Sequence, residues 1–465
     1  MGQVNTPRVI IAGVSSGAGK TTIVTGLIAA LAGRGLKVQS YKVGPDYIDP
    51  GFHRLASGKN AHNLDTWLVP PAVLTEIFAV TADGNDIAII EGVMGLYDGG
   101  RSGVSSTAAV AKMLKAPVVL VIDAKSMGES AAAIALGFKM YDPEVNLAGV
   151  LINRLGSESH RLMVCEAMAK VGIPVVGTVF RNNELVMPER HLGLTPVTEQ
   201  DAAATVAEIG RQVSRQVSID QLLSLARTAE PLTRPCSGGT QNCQGKVRIG
   251  VAQDDVFTFY YPSSLEVLGE FGAELIPFSP LKDSHLPAVD GIVLGGGFPE
   301  MFVKELSDNV SMRNSVLRAA GSGMPVYAEC GGLMYLSRQI IDFDGQAYDM
   351  AGAIPAVCQM QSKLETVGYV ETTALYDNVL CAGGETLRGH EFHFSRMFPD
   401  ANEAEFPWAF MFKKMRTGAE YRGGYAAGNV LASYLHMHFA GNRQAAGRFV
   451  EHCLQYKRSL SQGGK

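Results

Sequence analysis

Charge is scarce in this chain. Asp, Glu, Lys and Arg make up 18% of the residues, and 40 basic side chains are outnumbered by 45 acidic ones. A nucleic-acid-binding surface normally shows as a basic surplus, so a formal net charge of −5 argues against nucleic acid as the main partner. Long apolar runs are missing as well. Ala116-Pro117-Val118-Val119-Leu120-Val121-Ile122 is among the longest, far short of the ~20 residues that span a bilayer, and no membrane partner is expected. The first eight residues lack the apolar core of a signal peptide, which makes the cytoplasm the expected compartment. The seven cysteines are odd in number and scattered, so they read as thiols rather than a disulfide framework. Cys236 and Cys243 have no metal-ligand spacing.

What is present is an α/β alternation, long enough at 465 residues to require more than one core. Short β-branched runs at 9–12, 38–42, 87–90, 118–122, 148–152 and 175–179 read as strands. Between them, 22–32, 107–114, 130–139 and 160–170 carry helical spacing of apolar residues. Such βαβ units predict a doubly wound parallel sheet, with ligands at the carboxyl ends of its strands, where Gly13, Gly44 and Glu91 would lie. Pro231, Pro235 and Ser237-Gly238-Gly239-Thr240 break the pattern and mark a connector. The expected division is residues 1–229, a connector at 230–245, and a second α/β unit at 246–465. Strands at 247–252, 291–294 and 325–328 open that second unit, and 431–440 reads as a strand leading into a catalytic loop.

Gly13-Val14-Ser15-Ser16-Gly17-Ala18-Gly19-Lys20-Thr21-Thr22 follows the first strand and opens its helix. Backbone amides from Gly13 through Ser16, Gly17, Ala18 and Gly19 to Thr22 would surround phosphates, Lys20 would add a point charge, and the Thr21 hydroxyl would reach Mg²⁺. ATP is the expected co-substrate. In the common pattern the first Gly stands one residue later, where this chain has Val14. Asp86-Ile87-Ala88-Ile89-Ile90-Glu91 ends a strand on a carboxylate. Lys42-Val43-Gly44-Pro45-Asp46-Tyr47-Ile48-Asp49 ends another with a cation and two acids. A solvated turn would show the same acids. Their convergence at one sheet edge instead suits phosphoryl transfer, with Thr21, Asp46 and Glu91 holding Mg²⁺ and Lys42 on the nucleotide.

In the second unit, Met324-Pro325-Val326-Tyr327-Ala328-Glu329-Cys330-Gly331-Gly332-Leu333 reads as strand, sharp turn and helix, a nucleophile elbow carrying a thiol. Taken alone, a cysteine after an apolar strand is more often a small core residue. Two features reverse this: Gly295-Gly296-Gly297 closes an earlier strand with free amides, and Ser433-Tyr434-Leu435-His436 supplies a late histidine. Amides at Gly297 and Gly331 would form an oxyanion hole, with Cys330 as nucleophile and His436 moving protons.

The phosphate-loop variant resembles that of dethiobiotin synthetases. Together with residues 42–51, 91–99 and Pro188-Glu189-Arg190-His191-Leu192-Gly193, it resembles the cobyrinate a,c-diamide synthase family over essentially the whole chain. The thiol segment resembles triad-type, class I glutamine amidotransferases of flavodoxin-like fold, in their cobyrinate and cobyric acid synthase branch. The resemblance implies ATP- and L-glutamine-dependent amidation of the a and c acetates of a corrinoid acid, cobyrinate, through acyl phosphates. It implies that Tyr47, Ile48, Asp49 and Asp98 line the macrocycle site and that Asn153 and Arg190 contact the nucleotide. A homodimer is compatible with it. Two other substrates stay open, hydrogenobyrinate and nickel sirohydrochlorin, as does a ParA-like switch ATPase with an inactive second domain. The amidotransferase pattern places a glutamate two residues after the histidine. This chain has His438 there, so a Cys330–His436 dyad is expected, its imidazole oriented by an unidentified group, and Glu391 is left without a place.

Overall fold

The computed structural model describes residues 2–100, 103–182, 199–234, 245–400, 402 and 404–463. The chain divides into two compact units, Met1–Ser237 and Gly238–Lys465.

The apolar runs of the first unit become a seven-stranded sheet in the order His62–Leu64, Val38–Val43, Ile87–Glu91, Arg8–Gly13, Val118–Asp123, Leu147–Leu155, Val175–Phe180. Every pairing in it is parallel. Both faces are covered, so the strands are continuously apolar rather than alternating. Val9, Ile11, Ile89, Val119 and Val121 pack under the helix Lys20–Gly33, which buries Ile23, Val24, Leu27, Ile28 and Leu31. That helix is clamped from outside by Glu199–Gln216, and only glycine fits at position 26, where a Cβ would lie 2.4 Å from a methyl of Val213. Sequence reading did not anticipate the helices Asp49–Ser57 and Pro71–Ala82 or the short strand His62–Leu64. Within the stretch read as connector, Leu232–Thr233 pairs antiparallel with Gln3–Val4 and so belongs to the first unit.

In the second unit a ten-stranded sheet begins with five parallel strands, Ala273–Phe278, Val247–Ala252, Gly291–Leu294, Val326–Glu329 and Val430–Ser433. This is the flavodoxin-like half. It continues antiparallel through Glu420–Ala427, Trp408–Lys414, Thr366–Ala374, Thr386–His393 and His436–Met437. A separate four-stranded sheet is formed by Ala347–Asp349, Ser337–Ile341, Ile354–Met360 and Ser395–Pro399. The helix Arg443–Gly463 buries Ala446, Phe449, Val450 and Cys453 against the parallel half. Among the described residues no helix is long and apolar enough to cross a membrane.

Candidate active sites

The first site forms where the strand Arg8–Gly13 turns into the helix Lys20–Gly33. Gly19 stands there in the left-handed region at φ 89°, and no side chain caps the helix. The helices Thr107–Met113, Glu158–Lys170 and Ile219–Ala226, by contrast, are capped by Ser106, Ser157 and Ser218. Leaving the first amides of the phosphate-loop helix uncapped keeps them available to an anion. Lys20 Nζ reaches back over the loop to donate to the carbonyls of Met94 (2.6 Å) and Ser15 (3.1 Å). Gly13 keeps that path open, since a Cβ there would sit 2.9 Å from Nζ. Burial and then Lys42 lower the Lys20 ammonium from its ordinary range, opposed by Glu91, Asp49 and Asp98. The loop after Glu91 lies over this cradle, with Leu96 N donating to Gly13 O and Asp98 Oδ2 accepting from Gly95 N. Asn153 Nδ2 donates to Ala18 O at 2.9 Å and would meet any Cβ on Gly19 at 2.3 Å, so it braces the phosphate loop itself. Arg190 lies outside the described residues.

Beside the cradle, Thr21 Oγ1 donates to Glu91 Oε1 (2.7 Å) and Asp49 Oδ2 (3.1 Å). Lys42 Nζ bridges Asp49 (2.5 Å) and Glu91 (2.8 Å), with Asp46 at 3.8 Å. Burial disfavours the Lys42 charge, but Glu91, Asp49 and Asp46 outweigh it and hold the ammonium protonated well above its ordinary range. Burial and then Asp49 push the Asp46 carboxyl up to about 6, against the pull of Lys42. Asp46 Oδ1 accepts from the amides of Ile48 and Asp49 and so sets the turn into the helix Asp49–Ser57. Asp49 thus joins Thr21, Lys42 and Glu91, while Tyr47 and Ile48 flank it, half-buried. One further member was missed: His53 Nε2 meets Glu91 Oε2 at 2.7 Å, both side chains fully buried. Its signal was the four-residue spacing from Asp49, which becomes one helical face only once the helix is recognised.

These donors are hard oxygens, a hydroxyl and carboxylates, which suit Mg²⁺ completed by phosphate and water. Among the described residues no three Asp, Glu, His or Cys side chains form a cage for a metal by themselves.

The second site is built at Cys330, which leaves the strand Val326–Glu329 at φ 46° and ψ −99°, a conformation rare for a residue with a Cβ. Its amide donates to Ser433 O at 2.7 Å, tying the elbow to the end of the strand Val430–Ser433, three residues before His436. Only glycine fits at 297, where a Cβ would stand 1.7 Å from Val256 O. A Cβ on Gly331 would sit 3.0 Å from Gly297 N, so the two amides expected to form the oxyanion hole are neighbours. The thiol is buried, with Sγ 4.0 Å from Phe392 O. Burial, then Glu300 and Glu329, raise it well above the ordinary thiol range, and the Gly331 amide works the other way.

His436 Nδ1 lies 3.4 Å from Glu329 Oε2. The other oxygen of that carboxylate accepts from Tyr327 OH and from Met437 N (3.4 Å). His390 stacks on the imidazole with ring centres 5.0 Å apart, and Nε2 of His390 bonds Tyr261 OH. His438, at the position where the amidotransferase pattern has its acid, stacks on Tyr261 and accepts from Ala440 N through Nδ1. Strand alternation turns Glu391 to the opposite face from His390. There it accepts from Tyr421 OH and lines a cavity of about 780 Å³ with Arg396, Trp408 and Lys414.

Residues 9–194 match the family described as "CobQ/CobB/MinD/ParA nucleotide binding domain", and residues 248–444 match "CobB/CobQ-like glutamine amidotransferase domain". A cobyrinate a,c-diamide synthase of Dehalococcoides mccartyi is 45% identical over 461 residues, covering 96% of this chain and 98% of that protein. A hydrogenobyrinate a,c-diamide synthase of Streptomyces coelicolor is 42% identical, covering 96% and 97%. A cobyrinate a,c-diamide synthase of Picrophilus torridus is also 42% identical, covering 96% and 98%. With a phosphate cradle in one unit, a thiol elbow in the other and relatives matched nearly end to end, the chain belongs to the cobyrinate a,c-diamide synthase family of glutamine-dependent amidoligases.

Proposed function

We propose that this chain converts the a and c acetate carboxylates of cobyrinate to carboxamides, with ATP activating each acid and glutamine supplying nitrogen. A carboxylate is a poor electrophile. Transfer of the γ-phosphoryl group to its oxygen gives an acyl phosphate and ADP; attack by ammonia then expels phosphate and leaves the amide. Lys20 and the amides of the phosphate loop would bind and orient the transferred group, and Lys42 would hold charge beside it. Thr21, Asp46 and Glu91 fit the Mg²⁺ set, with Asp49 next to them; magnesium bound there supplies charge neutralisation for the phosphates. Tyr47, Ile48 and Asp98 are assigned to the macrocycle side.

In the second unit Cys330 would attack the glutamine amide carbon, forming a glutamyl thioester while the C–N bond breaks and ammonia leaves. Water then releases glutamate. Amides of Gly297 and Gly331 would hold the developing oxyanion, and His436 would take the thiol proton and return it to the leaving nitrogen. The observation that carries this reading is the pairing of the Gly297 and Gly331 amides at the strained Cys330 elbow, in a chain that also holds a phosphate cradle. The two reactions share substrates of the cytoplasm, where the reading places the protein.

The Streptomyces relative favours hydrogenobyrinate as the second reading. Incubating the chain with ATP, glutamine and cobyrinate, hydrogenobyrinate or nickel sirohydrochlorin, with amides counted by mass, decides among them. Diamide from cobyrinate is expected. With Cys330→Ala, ammonium salts should still support the reaction and glutamine should not; unchanged use of glutamine would remove the thiol from the scheme.

A further inference from the structure

We infer that Glu329, the residue immediately before the nucleophile, is the positioning acid of the amidotransferase site, holding His436 by Nδ1 so that Nε2 is left as the proton acceptor. The inference rests on the proposed glutamine-using role of Cys330 and His436, and it names the orienting group that the sequence pattern lacks.

Three observations carry it. First, register brings the two residues together: Glu329 pairs with Ser433 across parallel strands, and the chain then turns back over it, with Leu435 N donating to Ser433 Oγ. His436 therefore returns to the carboxylate that precedes Cys330. Second, the carboxylate is itself fixed. Tyr327 OH and Met437 N–H both bond Oε1, which turns Oε2 toward Nδ1 of His436 at 3.4 Å. A separation of 3.4 Å is within the range from which catalytic hydrogen bonds tighten in the Michaelis complex. Third, the alternatives are occupied elsewhere. His438 is stacked on Tyr261, and Glu391 faces away to Tyr421.

The chemistry requires such a group. An imidazole that accepts the thiol proton through Nε2 must keep its own proton on Nδ1, and a carboxylate at Nδ1 both selects that tautomer and stabilises the imidazolium. The other titratable groups around the ring do not supply this. His390, stacked on it from the strand Thr386–His393, is held neutral, because burial and then His436 lower its protonation well below the ordinary range. Tyr261 bonds His390. Cys330 is the proton's source. Glu300 acts on the thiol. The acid has thus moved from two residues after the histidine to one residue before the cysteine.

The test uses the full chain with ATP and cobyrinate, fed with glutamine in one arm and ammonium chloride in the other. Glu329→Gln keeps the shape and both acceptor bonds at Oε1 but removes the charge. Its glutamine-fed kcat should fall about a hundredfold or more, with KM for glutamine within about threefold and the ammonia-fed rate retained. A glutamine-fed kcat within about threefold of the parent overturns the inference. Should both arms fall together, Glu329→Asp decides. Recovery of glutamine-fed kcat by about tenfold over the Gln variant supports the carboxylate's role, and equal rates for Asp and Gln overturn it. Cys330→Ala runs alongside: if that variant still uses glutamine, the thiol scheme fails, whereas its loss beside an active Glu329→Gln rejects only the positioning acid.

Discussion

His53 Nε2 and Glu91 Oε2 meet at 2.7 Å with neither side chain reaching solvent, while Thr21 and Lys42 share the other oxygen of the same carboxylate. Glu91 is therefore held at both ends, which fixes the orientation of the carboxylate assigned to the metal. His53→Ala leaves a buried carboxylate oxygen unpaired and opens a void beside it. The expected cost is about 2–4 kcal/mol of stability, read from urea unfolding, together with weaker MgATP binding in calorimetry. His53→Gln keeps a donor near Oε2 and should recover most of both. An unchanged urea midpoint in His53→Ala would show that Glu91 does not depend on this partner.

The same region shows why the sequence was legible in part. The phosphate loop could be read because its residues are contiguous and glycine there answers to local backbone demands, such as the left-handed Gly19. The parallel strands could be read because burial on both faces leaves an unbroken apolar run. His53 and Glu329 could not, since each acts through a partner fixed by tertiary register: Glu91 lies 38 residues from His53, and His436 reaches Glu329 across a strand pair. The antiparallel extension escaped for another reason. Strands such as Thr366–Ala374 and Glu420–Ala427 mix polar residues with apolar ones, and only their neighbours determine which face is covered. Position 438 misled in the opposite direction: the acid missing there obscured Glu329, which stands one residue before Cys330 in the same motif.

Gly297→Ala tests the oxyanion hole. A Cβ at 297 would stand 1.7 Å from the Val256 carbonyl oxygen and 2.8 Å from its carbon, so the turn must move and carry its amide away from Gly331. Loss of one such donor costs about 10²–10³ in rate. The glutamine-fed reaction should fall by that much while the ammonia-fed reaction persists, and a variant with normal glutamine turnover would place the oxyanion elsewhere.

Glu300 adds to burial in raising the Cys330 thiol. Burial pushes its carboxyl up to about 7, and its charge is the largest electrostatic influence raising the Cys330 thiol after burial itself. A carboxyl raised in the fold binds its proton more tightly there than in the unfolded chain, so stability is fully present below the ordinary carboxylate range and is lost as pH rises toward 7. Glu300→Gln lacks that loss. Its melting temperature relative to the parent should therefore climb between about pH 5 and 7.5. Above pH 7, where the parent carboxylate is ionised, the variant's Cys330 should also react faster with iodoacetamide, by about threefold to tenfold, because a thiolate no longer forms beside a negative charge. Below about pH 6 the two rates should converge, since the parent carboxyl then carries its proton too. Equal alkylation rates across the whole range would mean that Glu300 does not reach the thiol and that burial alone keeps Cys330 protonated until glutamine binds.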